Sequence, residues 1–300
     1  MNPAFVNYKL FLMKNLTLFI ELTRLKKPIG FMLLFWPCIW GLSLSYDFQT
    51  GIDKFIFYTI LFLLGSILMR SAGCIINDIA DRNFDKRVKR TKNRPIASGK
   101  VSIKLALFYS AILCVLALLV LINFNLLTIV LAILSMPLAF AYPYIKRFTY
   151  WPQLFLGVTF NYGLLLGWTS INEQLNFAPI VVYFGAIFWT LGYDTIYGYQ
   201  DIEDDEIIGV KSTSIKFKGN PKKFLTICYL LFFISLIITG ITMGFSVFFY
   251  LMLLLVFYHL FFFQIKKLEI KNPVSCNKIF KSNNFFGLIL FVTILAEKLI

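Results

Sequence analysis

The chain has 300 residues, of which 59% are hydrophobic and only 15% are charged. Soluble domains carry about 25% charged residues, so this composition excludes an ordinary water-soluble protein. The formal net charge of +14 would suit a nucleic-acid partner, but the positions of the basic residues argue against one.

Nine apolar stretches are long enough to cross a bilayer, which takes roughly 17 to 25 helical residues. None alternates apolar and polar residues as a membrane strand does. The sequence therefore predicts an all-α integral membrane protein with nine transmembrane helices in a single domain, 1–300. The predicted spans are 28–46, 55–76, 103–122, 126–145, 153–171, 177–197, 224–243, 245–265 and 283–299.

The basic residues lie mostly on one side of the predicted membrane. With a cytoplasmic N-terminus, and with Arg70 counted with the adjacent loop, all 29 Lys and Arg except Lys54 and Lys298 fall on the cytoplasmic side. This positive-inside bias orients membrane proteins, and such loops also rest well against anionic lipid heads. Membrane lipid is therefore a predicted partner, and nucleic acid is not.

A dense cluster of charges follows the second predicted span. The segment NDIADRNFDKRVKRTKNRP (77–95) contains Asp78, Asp81 and Asp85, spaced three and four residues apart. This spacing places all three on one helical face, where like charges repel and where carboxylates near lipid are costly. The pattern predicts that a cation binds against this face.

A second acidic cluster, DTIYGYQDIEDDE, ends the sixth predicted span on the same side. Asp201 and Asp205 follow Asp194 by seven and eleven residues, again on one helical face. A solvated helix end would explain one such cluster, but two on one side favour a binding site. Mg²⁺ is typically held by one or two carboxylates together with substrate phosphates. The predicted metal ligands are Asp78, Asp81, Asp85, Asp201 and Asp205.

Basic side chains near both clusters could hold a diphosphate. Arginine binds phosphate oxygens through two parallel hydrogen bonds, and lysine acts as a point charge. A transporter could also carry intramembrane acids, but carboxylates gathered at one mouth with such bases fit a metal–diphosphate site better than a proton relay. The candidate phosphate-binding residues are Arg87, Arg94, Lys146, Arg147 and Lys211, with Arg82 beside them.

The two acidic motifs resemble those of the UbiA-type intramembrane prenyltransferases. NDIADRNFD (77–85) resembles their NDxxDxxxD motif, and YDTIYGYQDIEDDEIIGVKST (193–213) resembles their second acidic motif. The segments KNRPIASG and YPYIKRFTYWPQLFLG are most similar to the branch that prenylates 4-hydroxybenzoate in ubiquinone biosynthesis. The motifs at 77–85 and 194–205 end spans four helices apart, which suggests an internal duplication.

The resemblance implies a ring of nine helices around a central cavity, closed on the cytoplasmic side by the acidic motifs. It also implies Mg²⁺-dependent transfer of a polyprenyl group from polyprenyl diphosphate to the ring of 4-hydroxybenzoate. Within the family, a haem or a naphthoate is the alternative acceptor. The catalytic residues would be Asp78, Asp81, Asp194, Asp201 and Asp205.

Arg70 lies inside an apolar span, seven residues before Asn77 and on the same helical face. A buried arginine without a local acid is costly and marks a functional site unless its side chain reaches the interface or a backbone carbonyl. The family resemblance supports a contact with the acceptor carboxylate. Asp194 would be either a metal ligand or the base that takes a proton from the acceptor. Asn77 and Tyr197 complete the predicted substrate-binding residues.

The location expected from the sequence is a bacterial inner membrane, with the N-terminus and the active-site loops in the cytoplasm. This expectation rests on a short N-terminal segment without an Arg- and Ser-rich presequence.

Overall fold

The computed structural model of the protein describes residues 13 and 15–300, so the beginning of the predicted cytoplasmic N-terminal segment lies outside the described residues. The described chain is built from α-helices joined by short turns. The main helices are α1 (15–23), α2 (Ile29–Ser45), α3 (Asp53–Asp85), α4 (Ile103–Leu121), α5 (Leu126–Ile145), α6 (Pro152–Asn172), α7 (Phe177–Gly198), α8 (Ile202–Ile208), α9 (Thr213–Lys216), α10 (Pro221–Thr242), α11 (Val247–Phe257) and α12 (Pro273–Leu299). Helix α11 continues without a break as a π-helix over Tyr258–Ile265, so the two together form one membrane-length span.

The predicted all-α membrane fold is confirmed. Among the described residues, eight helices are long and apolar enough to cross a membrane, and α2 is a shorter apolar helix of 17 residues. Two helices extend well past their predicted spans. The 33-residue α3 continues through the whole first acidic motif, and α12 starts at Pro273, where the Asn272 side chain accepts a hydrogen bond from the Ser275 amide.

The membrane helices close into a ring. Each packs against its neighbours in the order α2, α3, α5, α6, α7, α10, α11 and α12, and α12 returns to α2. Helix α4 packs against α3, and α2 also crosses α6. Since backbone polar groups must be satisfied within each segment in lipid, such a bundle of helices is the expected solution.

Glycines allow the close crossing of α2 and α6. A methyl group added at Gly41 would overlap the Leu164 carbonyl oxygen, and one added at Gly167 would overlap the Cys38 carbonyl oxygen. Gly163 and Gly167 form a G-x-x-x-G pattern, which lets helix backbones approach closely in a membrane. The crossing fixes the position of α6 against α2 at the wall of the cavity described below.

The half of the ring that contains α7, α10 and α12 is solidly packed with aromatic side chains. The Trp40 and Trp189 ring centroids lie 5.0 Å apart, and Phe232 and Phe286 pack around them. Asn283 ties this core together by accepting the Trp189 indole N–H at 3.0 Å. The open space of the fold lies in the other half, enclosed by α2, α3, α4, α5 and α6.

Candidate functional site

An apolar cavity of about 450 Å³ lies among α2, α3, α4, α5 and α6. Its lining is largely aliphatic and aromatic, and among the described lining residues Arg70 alone is charged. Asn77 lies at the end of the cavity nearest the first acidic motif, since Asp78 follows it on α3. The large lining side chains include Phe62, Phe124, Met136, Phe140, Phe160 and Leu166.

Arg70 forms no ion pair with an acid among the described residues. Its guanidinium lies 5.5 Å from the centre of the Phe160 ring, a cation–π distance. Its Nε atom is buried and has no hydrogen-bond partner among the described residues. A methyl group at Gly30 would lie 2.9 Å from that Nε, so the glycine makes room for the side chain. Arg70 is therefore available to bind an anionic group inside the cavity.

The first acidic motif places three buried carboxylates on one continuous helix, as its spacing predicts. Asp78 forms ion pairs with Arg24 and with Arg94, the latter at 3.1 Å. The same Arg94 Nη1 lies 2.8 Å from Asp85. Two arginines thus compensate the charge of two of the acids.

The third acid of this motif, Asp81, forms an ion pair with Lys146 through Oδ2. Its Oδ1 atom is buried and has no hydrogen-bond partner among the residues that the structure describes. Lys146 also belongs to the surroundings of the second motif, because its carbonyl accepts the Lys211 amide at 3.1 Å. A buried carboxylate oxygen without a donor is costly and is well suited to a cation.

The second acidic motif does not lie on a continuous helix. Helix α7 ends at Gly198, a 3₁₀ turn covers Tyr199–Asp201, and α8 begins at Ile202. The seven-residue spacing of Asp194 and Asp201 therefore does not place them on one face of a continuous helix, contrary to the prediction from the sequence. Asp194 interacts electrostatically with Arg70, whereas Asp205 is within the electrostatic reach of Asp201 and Lys146.

Arg90 links the two motifs. Its guanidinium forms an ion pair with Asp201 and donates to the Tyr197 hydroxyl at 2.9 Å. It also lies 5.2 Å from the centre of the Tyr197 ring. Partial burial lowers the pKa of Arg90, but Tyr197 and Asp201 outweigh that effect, so its pKa is raised and it stays charged. The loop after α3 is thereby held against the end of α7.

The other predicted phosphate-binding residues lie near the motifs and differ in their contacts. Arg147 donates to the Ala80 carbonyl at 2.7 Å, directly beside Asp81. Lys211 donates to the Phe148 carbonyl at 3.3 Å. Arg87 is exposed. Two of these side chains are thus bound to backbone carbonyls, and the third is exposed.

The acids are compatible with Mg²⁺ but do not form a complete metal site. Among the described residues, no three His, Cys, Asp or Glu side chains lie close enough together to hold a metal ion alone. The donors are nonetheless carboxylate oxygens, which Mg²⁺ prefers, and this ion usually takes further ligands from water and substrate phosphates. The partnerless Oδ1 of Asp81 is one such donor.

Residues 34–290 match the model of the UbiA prenyltransferase family. The chain belongs to this family. It is 42% identical to the mitochondrial 4-hydroxybenzoate polyprenyltransferase of Caenorhabditis elegans over 287 residues, 95% of this chain and 80% of the relative. It is 39% identical to 4-hydroxybenzoate geranyltransferase 1 of Lithospermum erythrorhizon, covering 97% of this chain and 94% of the relative.

Solved structures of UbiA homologues share the fold of this UbiA-family chain. The homologue from Aeropyrum pernix superposes with a TM-score of 0.72 at 21% identity, covering 89% of this chain and 97% of that one. The homologue from Archaeoglobus fulgidus, solved with GPP and Mg²⁺, gives a TM-score of 0.69 at 17% identity, covering 94% and 100%.

The expected bacterial inner membrane is wrong. Several close relatives of this UbiA-family chain are described as mitochondrial, among them that of Bos taurus, which is 42% identical over 94% of this chain and 75% of its own length. The error came from treating the start of the sequence as evidence of compartment. The multi-pass membrane character is retained.

The sequence patterns did not single out Arg24 and Arg90 as site residues of this UbiA-family chain. Arg24 lies in the turn before α2 with φ +57°, in the left-handed region, and reaches an acid 54 residues away. Arg90 is one of several basic residues in a charged loop. The available signal for Arg24 was its place at the start of the segment RLKKPIG; for Arg90 it was spacing of four residues from Arg94.

Proposed function

We propose that the protein transfers a polyprenyl group from polyprenyl diphosphate to 4-hydroxybenzoate, as a step of ubiquinone biosynthesis in a mitochondrial membrane. The observation that carries this proposal is an apolar cavity with one internal arginine, Arg70, next to a cluster of carboxylates and basic side chains. The cavity lining suits the apolar prenyl chain, Arg70 suits the acceptor carboxylate, and the charged cluster suits the diphosphate. The names of relatives 39–42% identical over nearly the whole chain support the same substrates.

The diphosphate would bind at the acidic motifs. Asp78, Asp81 and Asp85 of the first motif, with Asp201 and Asp205 of the second, would hold Mg²⁺. This ion would neutralise the diphosphate and stabilise it as a leaving group. The basic side chains around the motifs would then contact phosphate oxygens; they are Arg87, Arg94, Lys146, Arg147 and Lys211.

In the structure, basic side chains neutralise the acids of the first motif. Arg94 pairs with Asp78 and Asp85, and Lys146 pairs with Asp81. A bound metal would take over the neutralisation of these carboxylates and release the two basic side chains to the phosphates. The same groups thus stabilise the site both before and after substrate binds.

The acceptor would lie deeper, with its carboxylate on Arg70. Arg70 donates from a planar fork that suits a carboxylate, and the surrounding apolar lining strengthens such a contact by excluding water. Asn77 would lie between the acceptor and the diphosphate, because it lines the same cavity beside Asp78.

The reaction breaks the bond between the prenyl C1 and the diphosphate oxygen and forms a bond from that carbon to the ring carbon next to the phenol oxygen. The ring proton then leaves and aromaticity returns. Asp194, which interacts electrostatically with Arg70, would take that proton or serve as a further metal ligand. A dry cavity protects the allylic cation from hydrolysis.

Radiolabelled prenyl diphosphate tests the proposal directly. Membranes containing the protein are supplied with 4-hydroxybenzoate, a dihydroxynaphthoate or haem, with Mg²⁺ or with EDTA. We expect labelled product with 4-hydroxybenzoate only, and only with Mg²⁺. Product with the naphthoate or haem alone would contradict the acceptor, and undiminished turnover in EDTA would contradict the metal.

A further inference from the structure

The last third of the chain carries an unbalanced positive charge. From residue 209 to the C-terminus the acids are Glu269 and Glu297. Exposed lysines gather around the turns that join α9 to α10 and α11 to α12. We call the following set the lysine surface: Lys222, Lys223, Lys266, Lys267, Lys271, Lys278 and Lys281.

These lysines lie at one face of the membrane. Lys222 Nζ donates to the Lys266 carbonyl at 3.3 Å, so the start of α10 adjoins the end of the π-helix (Tyr258–Ile265) that continues α11. The start of α12 lies beside the second acidic motif, with the Phe280 and Tyr197 ring centroids 4.4 Å apart. The far end of α12 is at the opposite face, where Glu297 accepts the Ser246 amide.

The charge of the lysine surface is not compensated by acids. Within residues 13 and 15–300, none of its seven members forms an ion pair. Glu269, the one acid nearby in sequence, accepts from the Asn272 side chain at 3.4 Å. By contrast, Lys146 and Lys218 at the same face are paired with acids. Seven lysines and one glutamate leave a local charge of +6.

Apolar stripes run from these lysines into the membrane. On α12, Lys278 and Lys281 are followed at helical spacing by Phe285, Leu288 and Val292, which are 60%, 41% and 42% exposed. A second exposed stripe on α10 consists of Lys223, Ile227, Leu230 and Ile234. Each stripe joins a cationic end to an exposed apolar side. It therefore complements an anionic phospholipid, which has a negative headgroup and apolar acyl chains.

We propose that the lysine surface binds the phosphate headgroups of anionic phospholipids, with the acyl chains along the stripes of α10 and α12. Basic residues at the membrane surface attract anionic lipid, and lysine amines bind phosphate as point charges. The surface is separate from the substrate cavity, whose lining belongs to α2 to α6. The proposal therefore does not depend on the proposed prenyl transfer.

Native mass spectrometry of the purified protein tests this proposal. The full chain is exchanged into detergent micelles that contain phosphatidylglycerol, phosphatidylcholine or a synthetic acidic peptide, and the retained ligand is counted. The test variant is Lys266→Gln with Lys267→Gln. The control is Lys100→Gln with Lys104→Gln, which removes two exposed lysines at the same membrane face before and at the start of α4.

We expect the parent protein and the control to retain phosphatidylglycerol over phosphatidylcholine. The test variant should lose that preference, with an affinity for phosphatidylglycerol lower by about tenfold to thirtyfold. Circular dichroism confirms that each variant is folded. Equal losses in test and control would show an effect of net charge alone and overturn the proposal. Retention of the acidic peptide, with no preference between the lipids, would overturn it in favour of a protein partner.

Discussion

Replacing Arg70 by alanine should impair the use of 4-hydroxybenzoate and leave the affinity for prenyl diphosphate nearly unchanged. Hydrogen bonds to charged groups contribute about 1.5–3 kcal/mol, so kcat/KM for the acceptor should fall by about tenfold to a hundredfold. The upper part of this range is expected, because Arg70 is the one charged residue among the described lining of an apolar cavity.

No described side chain is placed to replace Arg70 in the cavity. Two arginines near the cavity mouth, Arg24 and Arg94, are paired with the first acidic motif. Arg70→Lys should therefore recover only part of the loss, since an ammonium group supplies a point charge and not a planar fork.

The assay compares two acceptors, 4-hydroxybenzoate and phenol, with purified parent and variant enzymes. The parent should use phenol poorly, and Arg70→Ala should change that poor rate little, because phenol has no carboxylate to lose. The affinity for prenyl diphosphate is measured in parallel by equilibrium binding. Equal losses of kcat/KM for both acceptors would refute the carboxylate contact and give Arg70 a structural role.

Three further outcomes are expected. If Asp194 is the base, the Asp194→Asn variant should still cleave prenyl diphosphate but should not alkylate the acceptor. Loss of diphosphate binding in this variant, measured by calorimetry, would instead make Asp194 a metal ligand. Arg90→Ala should weaken diphosphate binding by about tenfold, because Asp201 loses a paired cation. Arg90→Lys should restore part of that binding, and unchanged binding in Arg90→Ala would contradict this role. Gly167→Ala should lower the unfolding temperature in detergent, since overpacking costs about 1–3 kcal/mol. The control Gly65→Ala adds a methyl group that meets open space, so it should not lower that temperature. Equal shifts in the two variants would contradict the close crossing of α2 and α6.

The amino-acid sequence determined the features that depend on local periodicity. Apolar runs of membrane length identified the helices, and the spacing of Asp78, Asp81 and Asp85 placed them on one face, because α3 is a continuous helix through all three. Periodicity failed at the second motif. A 3₁₀ turn at Tyr199–Asp201 separates α7 from α8, and nothing in the spacing of the acids reports that break.

Only the tertiary structure decided which charges meet. Arg24 reaches Asp78 across 54 residues, and Arg90 reaches Tyr197 across 107. Such pairs depend on how helices distant in sequence are packed, and one basic residue in a charged loop looks like another until that packing is known. The position of the cavity has the same origin. Aromatic side chains fill the half of the ring around Trp189, and the space enclosed by α2, α3, α4, α5 and α6 surrounds Arg70.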